Sequence, residues 1–571
     1  MQNIPRPEHP FPQMERKNWR NLNGEWQFEF DFGKSGRDRK VQCQQTLKDK
    51  IIVPFCPESE LSGVNYKDFI PAVWYKRTID LTAENLEGTT LLHFGAVDYE
   101  CHVYINGQEA GKHKGGYSSF CVDITNFIII GSNDITVCAE DDIRSGVQPR
   151  GKQCSHYYSA GCDYTRTTGI WQTVWLEFVP KQYIKNVKYY PDVTEGLLHI
   201  NGTVVGNGKF TAVAFYKGIK CGETVTNVAY GNLNATIKLN QIHLWEVGKG
   251  NLYDLVLTFE EDTINSYFGL REVKMDGMKF IINGKSVFQR LVLDQGFYED
   301  GIYTAATDAA LIKDIQLSLD MGFNGARLHQ KVFEPRFLYH CDKMGYIVWG
   351  EHGNWGVDHS NYTSLYAFLP EWTEIVERDF NHPAIVGWCP FNETWDYDGR
   401  KQIDDLLNVV YHTTKRLDTT RPCIDTSGNY HVITDIFDLH NYEQDVAKFK
   451  TYYEEFKTGG SLKDEQAHRQ SYTKGLPVFI SEYGGIKWDP NTTSKGGWGY
   501  GEAPDTEEEF LARYDGLTTA LLENPNIFAF CYTQLYDIEQ EVNGLYYYNR
   551  KPKFSPEIIK AINTKKAVIE D

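Results

Sequence analysis

The chain has no apolar stretch near the ~20 residues that span a bilayer, no Cys-x-x-Cys pair, and no glycine-rich turn of the kind that cradles a phosphate. It also lacks a basic run that would grip a nucleic-acid backbone, and its formal net charge is −19. These absences argue against a membrane span, a thiol-redox motif, a nucleotide fold and a nucleic-acid partner. The opening MQNIPRPEHPFPQMERKNW carries no apolar signal core, and the 12 cysteines are scattered. A cytoplasmic protein with free thiols is therefore expected.

Aromatic rings are plentiful, with 13 Trp and 36 Tyr. Part of that load fills sheet cores, and part is of the kind that lies flat against sugar faces. A length of 571 residues predicts several domains. Residues 1–180 read as all-β, with short runs such as WYKRTIDL, CHVYING and DITVCAE divided by Gly, Asn and Asp turns. Asn106-Gly107 is the sharpest hairpin signal. Residues 181–275 continue as a small β-sandwich, and neither β domain shows a reactive cluster.

From about residue 276 the apolar period alternates between strand and helix. FIINGKSVFQRLVLD, FNGARL, YIVWG, AIVGWC, RPCIDT, DIFDLH, LPVFIS and NIFAFCY supply strands. DAALIKDIQLSLDMG, PRFLYHCDKMG, LYAFLPEWTEIVERDF, IDDLLNVVYHTTKRLD, EEEFLARYDGLTTALLEN and PEIIKAINTKKA supply helices. Eight strands in 276–571 predict a (β/α)8 TIM barrel, with an open doubly wound sheet as the alternative.

Reactive groups of such a barrel lie at the C-terminal strand ends. That rule singles out Glu393 and Glu482 among 77 acidic residues. Two carboxyls sharing one pocket can divide labour, one as a proton donor and one as an ionised nucleophile. A separation of about 5–5.5 Å gives retention of anomeric configuration and about 6.5–9.5 Å inversion. The residues alone leave open which glutamate does which, and leave open a metal pair.

The stretches NLNGEWQFEFD, VWYKR, HFGAVDYECHVYINGQEAGKHKGGYSSF, TGIWQTVWLE, MGFNGARLHQ, DKMGYIVWGE, NHPAIVGWCPFNE and FISEYG occur in one order along nearly the whole chain. Together they resemble glycoside hydrolase family 2, which includes β-galactosidases, β-glucuronidases and β-mannosidases. The resemblance implies a sugar-binding jelly roll, an immunoglobulin-like sandwich and a catalytic barrel. It implies Glu393 as acid/base, Glu482 as nucleophile, and a retaining, exo-acting glycosidase. It further implies that Asn392 contacts a sugar hydroxyl, that Tyr442 orients the nucleophile with Tyr483 as the competing choice, and that Arg327 and His329 support the carboxylates. Glu351, His440 and Asn441 are candidate rim residues; Trp349, Trp355, Trp388, Trp395 and Tyr532 are candidate aromatic platforms.

Three departures bear on the sugar. RLVLDQGFYED replaces the His-bearing segment after the first barrel strand, which makes Asp294 and Gln295 candidate substrate contacts. The last strand lacks a Trp, for which Tyr532 is a substitute. Finally, the Asn-x-Lys of β-glucuronidases is replaced in EVNGLYYYNRKPK by Glu541 and Asn543. An acid without the Lys disfavours a uronate. The expectation is therefore a neutral glycone, with β-galactosidase first, then β-glucosidase, β-mannosidase or α-L-arabinopyranosidase, and β-glucuronidase last. The non-enzymatic alternative is an inactive carbohydrate-binding protein. No cofactor is called for: Mg2+ or Na+, used by some family β-galactosidases, finds no complete oxygen-ligand loop. The expected partner is an oligosaccharide or glycoside, and a homo-oligomer is compatible with the domain set.

Overall fold

The computed structural model describes residues 4–396, 399–490 and 496–570. The N-terminal β domain packs a six-stranded sheet, containing Gly24–Phe30, Ala72–Leu81 and Gly131–Glu140, against a four-stranded sheet built on Thr89–Phe94 and Val174–Val179. Asn106 and Gly107 both adopt positive φ, +51° and +80°, and turn Glu100–Ile105 back onto Gln108–Lys114. A second β domain stacks three strands on four. In its strand Tyr253–Phe259, Tyr253, Leu255, Leu257 and Phe259 point inward at the period of two that a half-buried sheet requires.

The two β domains meet on one buried guanidinium. Arg16 donates to Glu177 at 2.6 Å, to Asp262 at 2.9 and 3.0 Å, and to the Ile184 carbonyl at 2.6 Å. Three charges are thus removed from water together, and each remains partnered.

The barrel strands are Gln289–Asp294, Gly325–Leu328, Ile347–Glu351, Ile385–Cys389 continued by Phe391–Asn392, Thr426–Ser427, Phe437–Asn441, Val478–Gly484 and Ile527–Thr533. Seven form one parallel sheet, and the short Thr426–Ser427 closes the ring by pairing with Phe391–Asn392. Burial on both faces explains why these strands read as nearly continuous apolar runs. The first strand is shorter than FIINGKSVFQRLVLD suggests. Lys279–Ile282 belongs to a separate antiparallel sheet with Val273–Asp276, and its Phe280 packs against Phe528 and Trp349. A helix absent from the sequence reading, Val446–Lys457, follows the sixth strand, whereas residues 428–436 link the fifth and sixth strands without one.

All twelve cysteines are free. Among the described residues no helix is long and apolar enough to cross a membrane.

Replacing Arg16 with Met leaves Glu177 and Asp262 buried without their cation. The variant should lose about 3–5 kcal/mol in the unfolding transition of the β domains, read by urea denaturation. A loss below about 1 kcal/mol would show that water relieves the two carboxylates.

Candidate active site

The C-terminal ends of the barrel strands converge on Arg327, which is 1% exposed. Its Nε donates to Glu351 Oε2 at 2.8 Å and its Nη1 to Glu482 Oε1 at 2.9 Å; Nη2 bonds the Asn392 side-chain oxygen. One planar fork therefore ties together the ends of the second, third, fourth and seventh strands. Burial would depress the guanidinium, but Glu351 and Glu482 outweigh it and fix the positive charge.

Glu393 follows Asn392 with φ +49°, a left-handed conformation that costs a non-glycine residue about 1–3 kcal/mol. Its backbone N–H bonds the Ser427 carbonyl at 2.9 Å. Its carboxylate lies 2.7 Å from His440 Nδ1, while His440 Nε2 is 3.4 Å from Glu482 Oε1 and 3.0 Å from Ser427 Oγ. The imidazole thus stands between the two glutamates, and the nearest oxygens of Glu393 and Glu482 lie within 4.8 Å of each other.

Burial opposes charge on both members of the Glu393–His440 contact. Their mutual attraction, with Lys152 and Arg327 acting on Glu393 and Glu482 acting on His440, outweighs that penalty. Glu393 is held below its ordinary range and His440 is raised above its ordinary 6.5. The contact holds one proton on two groups 2.7 Å apart.

The second Glu482 oxygen accepts from the Tyr442 hydroxyl, which also contacts Thr533 Oγ1 at 3.0 Å. Tyr442 stacks on Tyr500 with ring centroids 3.4 Å apart. The competing Tyr483 points the other way, its hydroxyl 2.8 Å from Thr518 on the helix Glu507–Leu522. Asn392 uses its oxygen on Arg327, and its buried Nδ2 has no hydrogen-bond partner among the described residues. That amide is a donor available to a ligand hydroxyl.

Other candidates are drawn into the framework. Glu351 is filled by Arg327, by His329 Nδ1 at 2.8 Å and by the Gln330 N–H at 3.1 Å. These three contacts make it an anchor of the site. His329, whose protonation burial strongly disfavours, braces Glu351 and reaches Glu482 only at 4.0 Å. Asp294 caps its own loop, accepting from Gly296 N–H at 2.9 Å and from the Tyr536 hydroxyl at 2.7 Å; burial and nearby Asp314 push it up to about 6.

Asn441 and Tyr532 do not face the cluster. Asn441 donates to the Tyr453 hydroxyl at 2.9 Å in the helix layer, and Tyr532 packs edge-on against Tyr483 and Tyr514. Both neighbour inward-facing residues, and strand alternation sends them outward. Trp349 fills the barrel interior, bonding Gln289 at 2.9 Å, and Trp388 faces Asp418 in the helix layer at 2.8 Å. Trp355 and the half-exposed Trp395 remain at the mouth, with Trp355 donating to the Asn392 carbonyl at 3.2 Å.

The β domains, whose sequence shows no reactive cluster, nevertheless reach the site through the segment 141–168 of the first one. Its Arg150 and Gly151 N–H groups bond the Trp355 and Gly353 carbonyls at 2.8 and 3.0 Å. Tyr164 bonds Glu541 and receives Gln295 Nε2 at 2.9 Å. Gln295 continues to Gln534 at 2.6 Å, Gln534 to Asn543 at 2.9 Å, and Asn543 to Glu541 at 2.8 Å. Glu541 is 2% exposed, and burial raises its carboxyl even though Lys152, Tyr164 and Asn543 favour its charge. Nothing periodic in GKQCSHYYSAGCDY marks Lys152 or Tyr164 as site residues.

Three consecutive domain families match the chain: glycosyl hydrolases family 2 sugar binding domain over 19–180, glycosyl hydrolases family 2 over 182–271, and glycosyl hydrolases family 2 TIM barrel domain over 273–497. A provisionally named β-glucuronidase of Formosa agariphila is 30% identical over 442 residues, covering 72% of this chain and 50% of its own. A β-galactosidase of Thermoanaerobacter pseudethanolicus is 28% identical, covering 62% and 48%. The chain thus spans about half the length of these two curated relatives. The β-glucuronidase of Streptococcus agalactiae is 23% identical and matches over 94% of each chain. Among solved structures, a β-glucuronidase of an uncultured Clostridium superposes with a TM-score of 0.80 at 20% identity, covering 96% of this chain and 99% of its own. Mammalian relatives, including those of Sus scrofa and Rattus norvegicus, are also named β-glucuronidases. The expected likeness to short β-galactosidases is therefore corrected: the relatives are predominantly β-glucuronidases.

The raised His440 sets a pH dependence. Its contribution to stability is fully present below about pH 6.5 and is lost as pH rises through the higher folded value. The melting-temperature gap between wild type and His440→Asn should narrow from pH 6 to pH 9. A gap that widens over that range would contradict the charged Glu393–His440–Glu482 arrangement.

Proposed function

We propose that this chain, which belongs to glycoside hydrolase family 2, is a retaining exo-β-glucuronidase that releases a terminal glucuronic acid residue. The observation that carries the reading is the approach of Glu393 and Glu482 to within 4.8 Å with His440 between them and Arg327 clamped to Glu482. Nearest oxygens this close fit the roughly 5–5.5 Å between the carboxyl groups of a retaining pair.

In the first step Glu482, bonded by Arg327 and oriented by Tyr442, attacks the anomeric carbon. The glycosidic C–O bond breaks, and the proton held by Glu393 and His440 goes to the departing oxygen. In the second step water attacks the glycosyl ester from the face the aglycone left. Glu393 takes its proton, and Glu482 departs as carboxylate. Asn392 Nδ2 is the donor placed to bond a ring hydroxyl, an interaction that strengthens as oxocarbenium character develops. Tyr442 supplies one hydrogen bond to the attacking carboxylate and, by packing on Tyr500, holds it in one rotamer.

The neutral-glycone expectation counted Glu541 as a free negative charge. Its burial, its bonds to Tyr164 and Asn543, and the neighbouring Lys152 remove that objection. The names of the relatives support a glucuronide in its place. The second carboxylate and the strained Glu393 backbone favour catalysis over a passive sugar-binding role, since a binder gains nothing from either.

Glu482→Gln should lower kcat on 4-nitrophenyl β-D-glucuronide by roughly a thousand-fold or more. Glu393→Ala should suffer far more with a poor leaving group than with 4-nitrophenolate, and azide should restore turnover as β-glucuronosyl azide. Equal losses for all leaving groups without rescue would contradict the acid/base role. Release of α-glucuronic acid as first product, seen by proton NMR, would contradict retention.

A further inference from the structure

The described residues contain one cation at this site that the steps above do not use. Lys152 belongs to the first β domain and is 6% exposed, so about nineteen-twentieths of its surface is covered. Its ammonium makes no hydrogen bond and has no ion-pair partner within 4 Å among the described residues. Its ammonium lies 3.9 Å from the centroid of the Trp355 ring, and Trp355 in turn donates to the Asn392 carbonyl, one residue before Glu393. Its electrostatic neighbours, in falling order, are Cys162, Glu541, Glu482 and Glu393. Desolvating an ammonium without a counter-ion is costly, and a folded protein seldom leaves one so unless a ligand completes it.

Resting on the glucuronide reading, we propose that Lys152 is the residue that reads the carboxylate of the glycone. β-Glucuronidases that carry Asn-x-Lys read it from the loop after the eighth strand, where this chain has Glu541 and Asn543. Here the cation comes from the opposite wall, within electrostatic reach of that same loop. A carboxylate there pairs with the ammonium, while the hydroxyl donor of Tyr164 and the amide of Asn543 hold Glu541 away from it.

Burial shifts Glu541 toward its neutral form and so weakens its competition for the ammonium. The aromatic face of Trp355 keeps the ammonium in place without consuming its donors. Selectivity is thereby supplied by a β domain that the barrel positions through Arg150 and Gly151, so the pocket is complete only when the two domains are docked.

The test compares 4-nitrophenyl β-D-glucuronide with 4-nitrophenyl β-D-glucoside, which differ in the C5 substituent alone. In Lys152→Met the ratio of kcat/KM for glucuronide over glucoside should fall about 30-fold or more, mainly through KM for the glucuronide. Lys152→Arg, which keeps the charge, should retain most of the ratio. A selectivity ratio cannot be moved by the fraction of folded enzyme. A ratio within about three-fold of wild type in Lys152→Met overturns the assignment of Lys152 while leaving glucuronidase activity standing. Wild-type preference for the glucoside overturns both.

Discussion

The site depends on one buried guanidinium. Arg327 brings a positive charge into a barrel mouth where water cannot stabilise it, and the only stable solution is to surround it with acceptors. Glu351 and Glu482 supply opposite charges at 2.8 and 2.9 Å, and Asn392 supplies a neutral oxygen. The consequence is geometric as well as electrostatic. Four strand ends are pulled into one register, the nucleophile is fixed by a charged donor, and Asn392 is turned so that its free amide points elsewhere. Glu393 is then held beside that frame by the Ser427 backbone and by His440, in a conformation the chain would not adopt unaided.

Charge is distributed so that no catalytic carboxylate is alone. Glu482 faces Arg327, Tyr442 and His440; Glu393 faces His440; Glu351 absorbs Arg327 and His329 and so stays out of the chemistry. Lys152 differs because its ammonium touches an aromatic face, while the anions that favour its charge, Glu541, Glu482 and Glu393, make no ion pair with it among the described residues. That asymmetry separates the groups that hold the machinery from the group left to meet a substrate.

The barrel, its eight strands and both glutamates were legible because a buried parallel strand writes a long apolar run and the site lies where each run stops. Arg327 and His440 sit at such stops as well. The reading failed where strand end alone is too coarse. Asn441 and Tyr532 occupy the right height but the wrong face, a difference of one residue in a period of two that a bulge at Leu439/His440 further obscures. Glu351 and Asp294 occupy the right face, yet Arg327 and His329 engage the first, and Gly296 and Tyr536 the second. Lys152 and Tyr164 were invisible because segment 141–168 has no periodicity and reaches the site only by tertiary docking. The neutral-glycone expectation, which the names of the relatives go against, has a related weakness: residue 541 is an acid in the sequence, whereas its charge is set by burial, Tyr164 and Asn543.

The account stands most directly on Glu482 forming a bond to the sugar. Incubation with 2-deoxy-2-fluoro-β-D-glucuronosyl fluoride, whose fluorine slows breakdown of the ester more than its formation, should add one 2-fluoroglucuronosyl group per chain, with fluoride released. Peptide mapping by mass spectrometry should place that group on the peptide FISEYGG at Glu482. Time-dependent inactivation with the label on Glu393, or turnover of 4-nitrophenyl β-D-glucuronide with no covalent adduct under any condition, would contradict the double-displacement mechanism built on this arginine-held carboxylate.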